Sequence, residues 1–217
     1  MIPPPKGFSL YPQETLFEDI LEVPEKPCLY HATTPNRCSE AILEACGEQL
    51  GCNPVCCEIA YRVGEDFAVM DYDGIVQAIA IAFPSRWRPE SLLGKDFKEI
   101  HGPVPHFAEN PEANRKLLNY VKNSPPLQRF LWTLSPDDEL DHHPDRWEPN
   151  GPMRWLRVER QVTHPFKEGF LFVLQTRYTA LRTMGLEERK KLVEALDKLS
   201  PEMKAYKGLV EANLAFD

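Results

Sequence analysis

The stretch DFAVMDYDGIVQAIAIAF, residues 66–83, decides the fold class because two strand-like apolar segments flank one turn dipeptide. Asp73-Gly74 accepts the positive φ values that a tight hairpin turn requires. The segments on either side have the length and the content of β-branched and aromatic residues that are typical of strands. This stretch therefore predicts a β-hairpin.

The chain beyond the hairpin predicts helices first and strands afterwards. Short helical segments are expected between Pro89 and Ser124, including residues 109–124, which contain an apolar helical stripe. Strand patterns then recur in LQRFLWTLS (127–135), RWLRVERQV (154–162) and GFLFVLQTRY (169–178). This element order predicts an α+β fold, a PAS-like five-stranded antiparallel sheet with its helices on one side.

Both ends of the chain are predicted to extend this unit. Residues 1–37 include Pro3, Pro4, Pro5 and Pro12 and are expected to form an extended proline-rich arm, since successive prolines forbid helix. A short helix is predicted from Ser39 to Leu50. Residues 38–217 are expected to form a single domain that ends in helices from about residue 185, one over 186–199 and another starting at Pro201.

Composition excludes several classes of protein. A formal net charge of -8 and a pI near 5.3 argue against nucleic acid as a partner, because phosphate-backbone binding requires a basic stripe. The first residues lack a basic segment followed by an apolar one, and no later segment approaches the roughly 18 apolar residues of a membrane span. We therefore expect a soluble, cytoplasmic protein without a membrane partner.

The six cysteines all lie between residues 28 and 57. The spacing of Cys52, Cys56 and Cys57 matches no standard paired zinc-binding pattern, and a cytoplasmic chain keeps its thiols reduced. Cys46 lies on the apolar face of the predicted helix over 39–50, where a small buried side chain is expected. The favoured interpretation is therefore reduced cysteines without a structural zinc.

His101 is the main candidate for a metal ligand. It lies in FPSRWRPESLLGKDFKEIHGPVP, residues 83–105, and is followed by Gly102, Pro103 and Pro105. These residues restrict the backbone around the imidazole, and such rigidity suits an axial ligand. The alternative is a structural histidine that hydrogen-bonds the turn over 102–105. His106 and His164 are the other candidate ligands.

A second group of ligand-type side chains lies in the polar loop DELDHHPDRWEPNGP, residues 138–152. It contains the residues Asp141, His142, His143 and Asp145. Proline-rich polar loops offer no fixed coordination geometry, so a solvated loop is the preferred interpretation.

Four ordered segments resemble the haem-dependent oxidative N-demethylase family, whose members are haem-binding PAS-like proteins. They are FPSRW (83–87), the LGK and IHGPVP segments within 93–105, WLRVERQ (155–161) and SPEMKAYKGL (200–209). The resemblance implies haem b and its iron, and oxidation of a secondary or tertiary amine by dioxygen with release of formaldehyde. The chain has neither a G-x-G-x-x-G fingerprint nor a ferredoxin-type cysteine series, so a separate flavin-containing reductase is expected.

The resemblance makes His101 the expected proximal haem ligand and suggests residues that would contact the haem. Arg86, Arg160 or Arg177 could pair with haem propionates, and Arg160 is preferred because it shares a strand face with Leu156 and Val158. A buried pairing with a glutamate is the alternative for Arg160. Aromatic side chains could line the haem or simply pack the core, and they are Phe83, Trp87, Trp132, Trp155, Phe170 and Phe172. Tyr206 and Lys207 could reach the rim of the pocket.

Two departures from the family pattern affect the functional prediction. Leu131 stands where the family has an asparagine before Trp132, and the segment VTHPFKEG (162–169) replaces an arginine-containing turn, so no catalytic residue is assigned. The alternative function is a non-catalytic haem-binding PAS-like sensor or carrier module. A third possibility is a structural protein whose pocket is filled by its own side chains.

Overall fold

The computed structural model describes residues 5–11, 16–17, 24–26, 29–33, 37–46, 56–107 and 111–217. The protein is an α+β fold built on an antiparallel open sheet. Its strands are β1 (Ser9–Leu10), β2 (Tyr30–Thr33), β3 (Asp66–Asp71), β4 (Val76–Ile81), β5 (Leu127–Ser135), β6 (Trp155–Phe166) and β7 (Gly169–Ala180). Its helices are α1 (Arg37–Cys46), α2 (Cys56–Ala60), α3 (Phe97–His101), α4 (Pro111–Lys122), α5 (Leu186–Asp197) and α6 (Pro201–Lys207).

The predicted hairpin is confirmed as β3 and β4. Gly74 has φ +84°, the left-handed conformation that the turn dipeptide predicts. The Asp71 carboxylate accepts hydrogen bonds from the backbone N–H groups of Asp73 (3.0 Å) and Ile75 (2.9 Å), so the side chain that ends β3 also shapes the turn.

The prediction of five strands is wrong, because the sheet has seven strands in the order β1-β5-β6-β7-β3-β4-β2. The five predicted strands are all present and adjacent in the centre of the sheet. The two additional strands, β1 and β2, come from the proline-rich arm and pair with the outer strands at Ser9↔Gln128 and Tyr30↔Ile81. Proline excludes helix but allows extended backbone at a sheet edge.

Helices cover both faces of the sheet, so the expectation of helices on one side is also wrong. We call one side the α1 face, where Phe67, Val69 and Val173 pack with α1 and α2. The other side is the α3 face, where Ala68 and Met70 pack with side chains of α3 and α4. Neighbouring residues of a strand point to opposite faces, and here both sets are buried.

The C-terminal helices pack at the end of the sheet that carries β5. Leu192 of α5 lies in a small apolar cluster with Leu134 and Leu181. The Ser200 hydroxyl caps α6 by accepting from the N–H of Met203 (3.2 Å). At the other end of α6, Lys207 Nζ donates to the carbonyl of Trp132 on β5 (2.6 Å), and this bond attaches the helix to the outer strand.

The structure also bears on the predicted helix over 39–50 and on the expected lack of a membrane span. The predicted helix over 39–50 is confirmed as α1, which begins at Arg37, while residues 47–50 lie outside the described part. Within the described residues, none of the helices combines the length and apolar character that crossing a bilayer requires.

Candidate functional site

His101 is the last residue of α3, a short helix whose start is firmly fixed. The Asp96 carboxylate accepts from the N–H of Glu99 (2.7 Å), and the Glu99 carboxylate accepts from the N–H of Asp96 (2.9 Å). This reciprocal capping box satisfies two backbone donors at the helix start. The apolar residues Phe97 and Ile100 of the helix pack on the α3 face, so the imidazole is held beside the sheet.

The His101 ring is oriented by a hydrogen bond and by two aromatic rings. Its Nδ1 lies 2.9 Å from the Phe97 carbonyl oxygen. The imidazole stacks on Phe107, with ring centroids 4.6 Å apart, and contacts Phe97 at 4.3 Å. A carbonyl oxygen can only accept, so Nδ1 carries the proton and Nε2 presents a lone pair. Among the described residues nothing hydrogen-bonds Nε2.

Electrostatics keep this imidazole neutral. Burial lowers the pKa of His101, the hydrogen bond to Phe97 raises it by less, and the positive charge of Arg129 lowers it again. A neutral ring with one nitrogen fixed by a backbone carbonyl is the usual state of a histidine that ligates a metal. The hydrogen bond of the ring goes to its own helix and not to the turn over 102–105.

A row of polar side chains lies across β5 and β6 on the α3 face. Arg129 Nε donates to Gln161 Oε1 (2.6 Å), and Gln161 Nε2 donates to the Glu159 carboxylate. The Ser85 hydroxyl donates to the same carboxylate (3.4 Å). No motif singles out Arg129, Gln161 or Glu159, although strand alternation places them on one face with Leu127 and Leu131.

Tyr206 and Lys207 of α6 are close enough to this row to feel the charge of Glu159. Burial raises the pKa of Tyr206, and the negative charge of Glu159 raises it further. Burial lowers the pKa of Lys207, while Glu159 acts in the opposite direction. Both side chains are therefore electrostatically coupled to the polar row.

The structure does not bring Arg160 together with His101. Arg160 is buried on the α1 face, where it donates to Gln175 Oε1 (3.3 Å), the Tyr11 hydroxyl (3.2 Å) and Glu65 Oε1 (3.4 Å). The pairing with Glu65 corresponds to the structural alternative. A shared face with Val158 would favour Arg160 only if one face of the sheet were covered, whereas helices cover both faces.

The other residues predicted to contact the haem lie in different parts of the molecule. Arg86 has φ +68° and donates through Nη1 to the Lys207 carbonyl (2.8 Å). Phe83 is buried, and its carbonyl accepts from Arg157 (3.2 Å). Trp132 packs with the apolar cluster of the C-terminal helices, and Arg177 is exposed on β7. Of these residues, only Arg86 and Phe83 belong to the segment that leads from β4 towards α3.

The other two candidate ligands are His106, which is exposed to solvent, and His164, which lies on the α1 face. His106 is exposed and has φ +63°. His164 alternates with Val162 and Phe166 of the α1 face, and its Nδ1 lies 3.0 Å from the Pro165 carbonyl. Like His101, His164 has its Nδ1 near a backbone carbonyl and a pKa lowered by burial, but it lies on the opposite side of the sheet.

The expectation of a solvated loop is wrong for His142 and His143, since each is only 2% exposed. His142 stacks on Trp147, with ring centroids 3.7 Å apart, and its Nε2 lies 3.1 Å from the Tyr178 hydroxyl. The loop is fixed by Arg157, itself 1% exposed, which donates to the carbonyl of Leu140 (3.1 Å). Distant contacts of this kind leave no pattern in a loop sequence.

Ligand-type atoms of Glu90, His143 and Asp145 lie within 4.8 Å of one another. Both nitrogens of the His143 ring are already engaged, Nε2 with Glu90 (3.3 Å) and Nδ1 with the N–H of Asp145 (3.2 Å). Arg88 binds the Asp145 carboxylate through both Nη atoms. The group is therefore an ion-pair cluster with its donors and acceptors satisfied.

We expect the buried His142 to make stability fall in acid. Burial lowers its pKa from 6.5 to about 3, and the positive charges of Arg157 and Arg86 act in the same direction. Below pH 6.5 the His142 ring binds a proton in the unfolded chain but stays neutral in the folded protein. The free energy of unfolding therefore decreases as the pH falls. The expected loss is roughly 2 kcal/mol between about pH 6.5 and about pH 4.5.

Urea unfolding of the His142→Asn variant across this pH range measures the effect. The variant should show a shallower dependence of its unfolding free energy on pH than the wild type. His31→Asn is the control, because His31 is exposed on β2 and its removal should leave the slope unchanged. An unaltered slope in His142→Asn would contradict the prediction.

The cysteines differ from the expectation of reduced thiols. Cys38 is disulfide-bonded, so the expectation is wrong there. Cys46 is a buried free thiol, and burial, with the charge of Glu65, raises its pKa to about 12. Such a thiol is inert as a nucleophile. The side chains of the remaining four cysteines, Cys28, Cys52, Cys56 and Cys57, lie outside the described part.

A groove of about 480 Å³ lies between the hairpin turn and the helices α3 and α4. Its walls include Tyr72, Phe97 and Leu118, together with the charged side chains of Lys98 and Lys122. The groove shares α3 with His101, although the imidazole is not among its lining residues.

Comparison with known families gives one finding. The family described as "Haem-dependent oxidative N-demethylase, alpha subunit-like" matches residues 36–215. The match covers α1 and all later elements, including α3, the polar row on β5 and β6, and α6.

Proposed function

The chain belongs to the haem-dependent oxidative N-demethylase, alpha subunit-like family, and from this premise we propose that His101 ligates haem b for oxidative N-demethylation. The substrate is a secondary or tertiary amine, which is oxidised with dioxygen and loses a methyl carbon as formaldehyde. The family name describes an alpha subunit, which implies a multi-subunit oxygenase. The electrons come from a separate flavin-containing reductase.

One observation carries the proposal. The Nδ1 of His101 is 2.9 Å from the Phe97 carbonyl, and Nε2 has no partner in the described part of the chain. A neutral imidazole with this tautomer presents the lone pair that haem iron binds. The residues present therefore fit the group on the chemistry of the donor.

The fold supports the same placement. The five central strands and the intervening helices form a PAS-like unit, in which ligands bind between the sheet face and the helical excursion. The cofactor would lie beside His101 on this side of the sheet, where Phe97 and Phe107 contact the imidazole and the positive charge of Arg129 acts on it. An apolar wall and a positive charge would then lie next to the ligating imidazole.

When bound, the haem would supply the activation of dioxygen that amine oxidation requires. The protein's own residues would hold the haem and surround its ligand, His101. His101 is fixed in one tautomer by Phe97, and the rings of Phe97 and Phe107 pack against the imidazole. Glu159 places a carboxylate at the rim of the same face, where a cationic amine would be attracted.

A haem-binding module without turnover is the second candidate, and Leu131 favours it. Leu131 alternates with Arg129 on the α3 face and is partly exposed. Its side chain offers no amide at the position where the family carries an asparagine, so a polar group that could face an amine or oxygen is missing.

Hemin titration of the purified protein tests the proposal. We expect a Soret band that saturates at one haem per chain, and formaldehyde from dimethylamine only when haem and a flavin reductase system are both supplied. A Soret band without formaldehyde selects the haem-binding module. A protein that leaves hemin unbound would refute both functions.

A further inference from the structure

Arg129 is a half-buried cation on the face of the sheet that α3 and α4 cover. It lies on β5 opposite Gln161 of β6, and its Nε donates to Gln161 Oε1 (2.6 Å). The ring of Phe8 lies 5.0 Å from its Cζ. Gln161 and Phe8 therefore fix the plane of the guanidinium.

The two Nη groups of this guanidinium are unused. In the described chain they have no hydrogen-bond acceptor, and no carboxylate oxygen lies within ion-pair distance of them. Glu159 acts on Arg129 only through its longer-range charge. Partial burial lowers the pKa of Arg129, because a guanidinium that loses part of its water without gaining a paired anion is less stable in its charged form.

The buried arginines Arg157 and Arg160 both have hydrogen-bond partners for their terminal Nη groups. Arg160 has a carboxylate partner in Glu65. Arg157 donates to Ser85 and to several backbone carbonyls. Arg129 differs from both because its terminal donors remain available on the face that α3 covers. Phe97 and Ile100 of α3 pack in one cluster with Leu127, which shares this face of β5 with Arg129.

We propose that the Nη groups of Arg129 bind a propionate carboxylate of the haem that His101 ligates, an inference that rests on the proposed function. The planar fork of a guanidinium matches the two oxygens of a carboxylate, and the pairing is strong where water is excluded. The propionate would provide the counter-charge that Arg129 lacks.

The test compares two porphyrins in two proteins. Hemin and hemin dimethyl ester, whose carboxylates are blocked, are titrated into the wild type and into Arg129→Gln, with the Soret band as readout. For the wild type we expect esterification to weaken binding about 10- to 100-fold, the effect of one charge-assisted pair. Arg129→Gln should weaken hemin binding by a similar factor and should leave ester binding unchanged.

Arg37→Gln is the matched control, because Arg37 lies on α1, on the opposite side of the sheet, and already donates to the Glu168 carboxylate, so its loss should leave the hemin affinity within about twofold. Equal affinity of the wild type for hemin and its ester would overturn the inference. This comparison uses only the wild-type protein, so it does not depend on whether a variant folds. Equal hemin affinity of Arg129→Gln and the wild type would also overturn it. Absence of a Soret band with either porphyrin in the wild type would instead refute the proposed function.

Discussion

Replacement of His101 by alanine should abolish the Soret band of the reconstituted protein. The substitution removes the neutral Nε2 lone pair that the hydrogen bond to Phe97 leaves available. Changing a group that only orients a metal ligand already costs about 10- to 100-fold in affinity, so loss of the ligand itself should cost more than about 100-fold. Hemin titration followed at the Soret maximum measures the change.

Two further variants make this result specific. His164→Ala removes a histidine that also contacts a backbone carbonyl but lies on the opposite side of the sheet, and it should bind hemin like the wild type. Added imidazole should restore a Soret band to His101→Ala by filling the vacated position. Haem binding that survives in His101→Ala and disappears in His164→Ala or His106→Ala would assign the ligand to another histidine.

Asp66→Asn should cause the largest loss of stability among single polar substitutions. The Asp66 carboxylate pairs with Lys26 Nζ (3.4 Å), and both side chains are at most 5% exposed. It also accepts from the N–H groups of Ala82 (2.9 Å) and Phe83 (2.7 Å). Removing its charge leaves the Lys26 ammonium buried without a counter-ion, which costs about 3–5 kcal/mol. Chemical unfolding gives the free energy directly.

Paired variants separate the ion pair from the rest of the site. Lys26→Met combined with Asp66→Asn should recover part of the loss, because no uncompensated charge remains. Glu168→Gln is the surface control: its pair with Arg37 is largely exposed, so its loss should cost less than about 1 kcal/mol. If Asp66→Asn were as mild as Glu168→Gln, water would have to reach Lys26.

The Asp66 contacts also bear on the candidate site. Ala82 and Phe83 lie where the chain leaves β4 for the segment that contains α3, and Asp66 holds both of their N–H groups. A buried ion pair in the core thus fixes one end of the segment that presents His101. Stability and haem affinity should therefore decline together in Asp66→Asn.

Local sequence signals predicted the centre of the sheet because each central strand has its own pattern. The hairpin has a turn dipeptide with two apolar flanks, and LQRFLWTLS corresponds to β5 residue for residue. The strands β1 and β2 have two and four residues, too few for alternation to be recognised. Their positions depend on pairing with distant residues, which no local pattern records.

The candidate site was only partly predictable for a related reason. His101 could be found from its rigid neighbours. Strand alternation shows which residues share a face, but it does not show which face lies under α3. The sequence therefore favoured Arg160 and did not point to Arg129, and only the three-dimensional arrangement shows that Arg160 lies on the α1 face and Arg129 on the α3 face.

The bond between Lys207 and the Trp132 carbonyl has a consequence for solubility. Among the described residues, the outer side of β5 pairs with β1 only at Leu127 and Gln128, and Phe130 beyond them is 59% exposed. An uncovered strand with apolar side chains is a template for edge-to-edge aggregation. By occupying a carbonyl on this side with a charged lysine, α6 blocks the continuous ladder that a strand from another molecule would need.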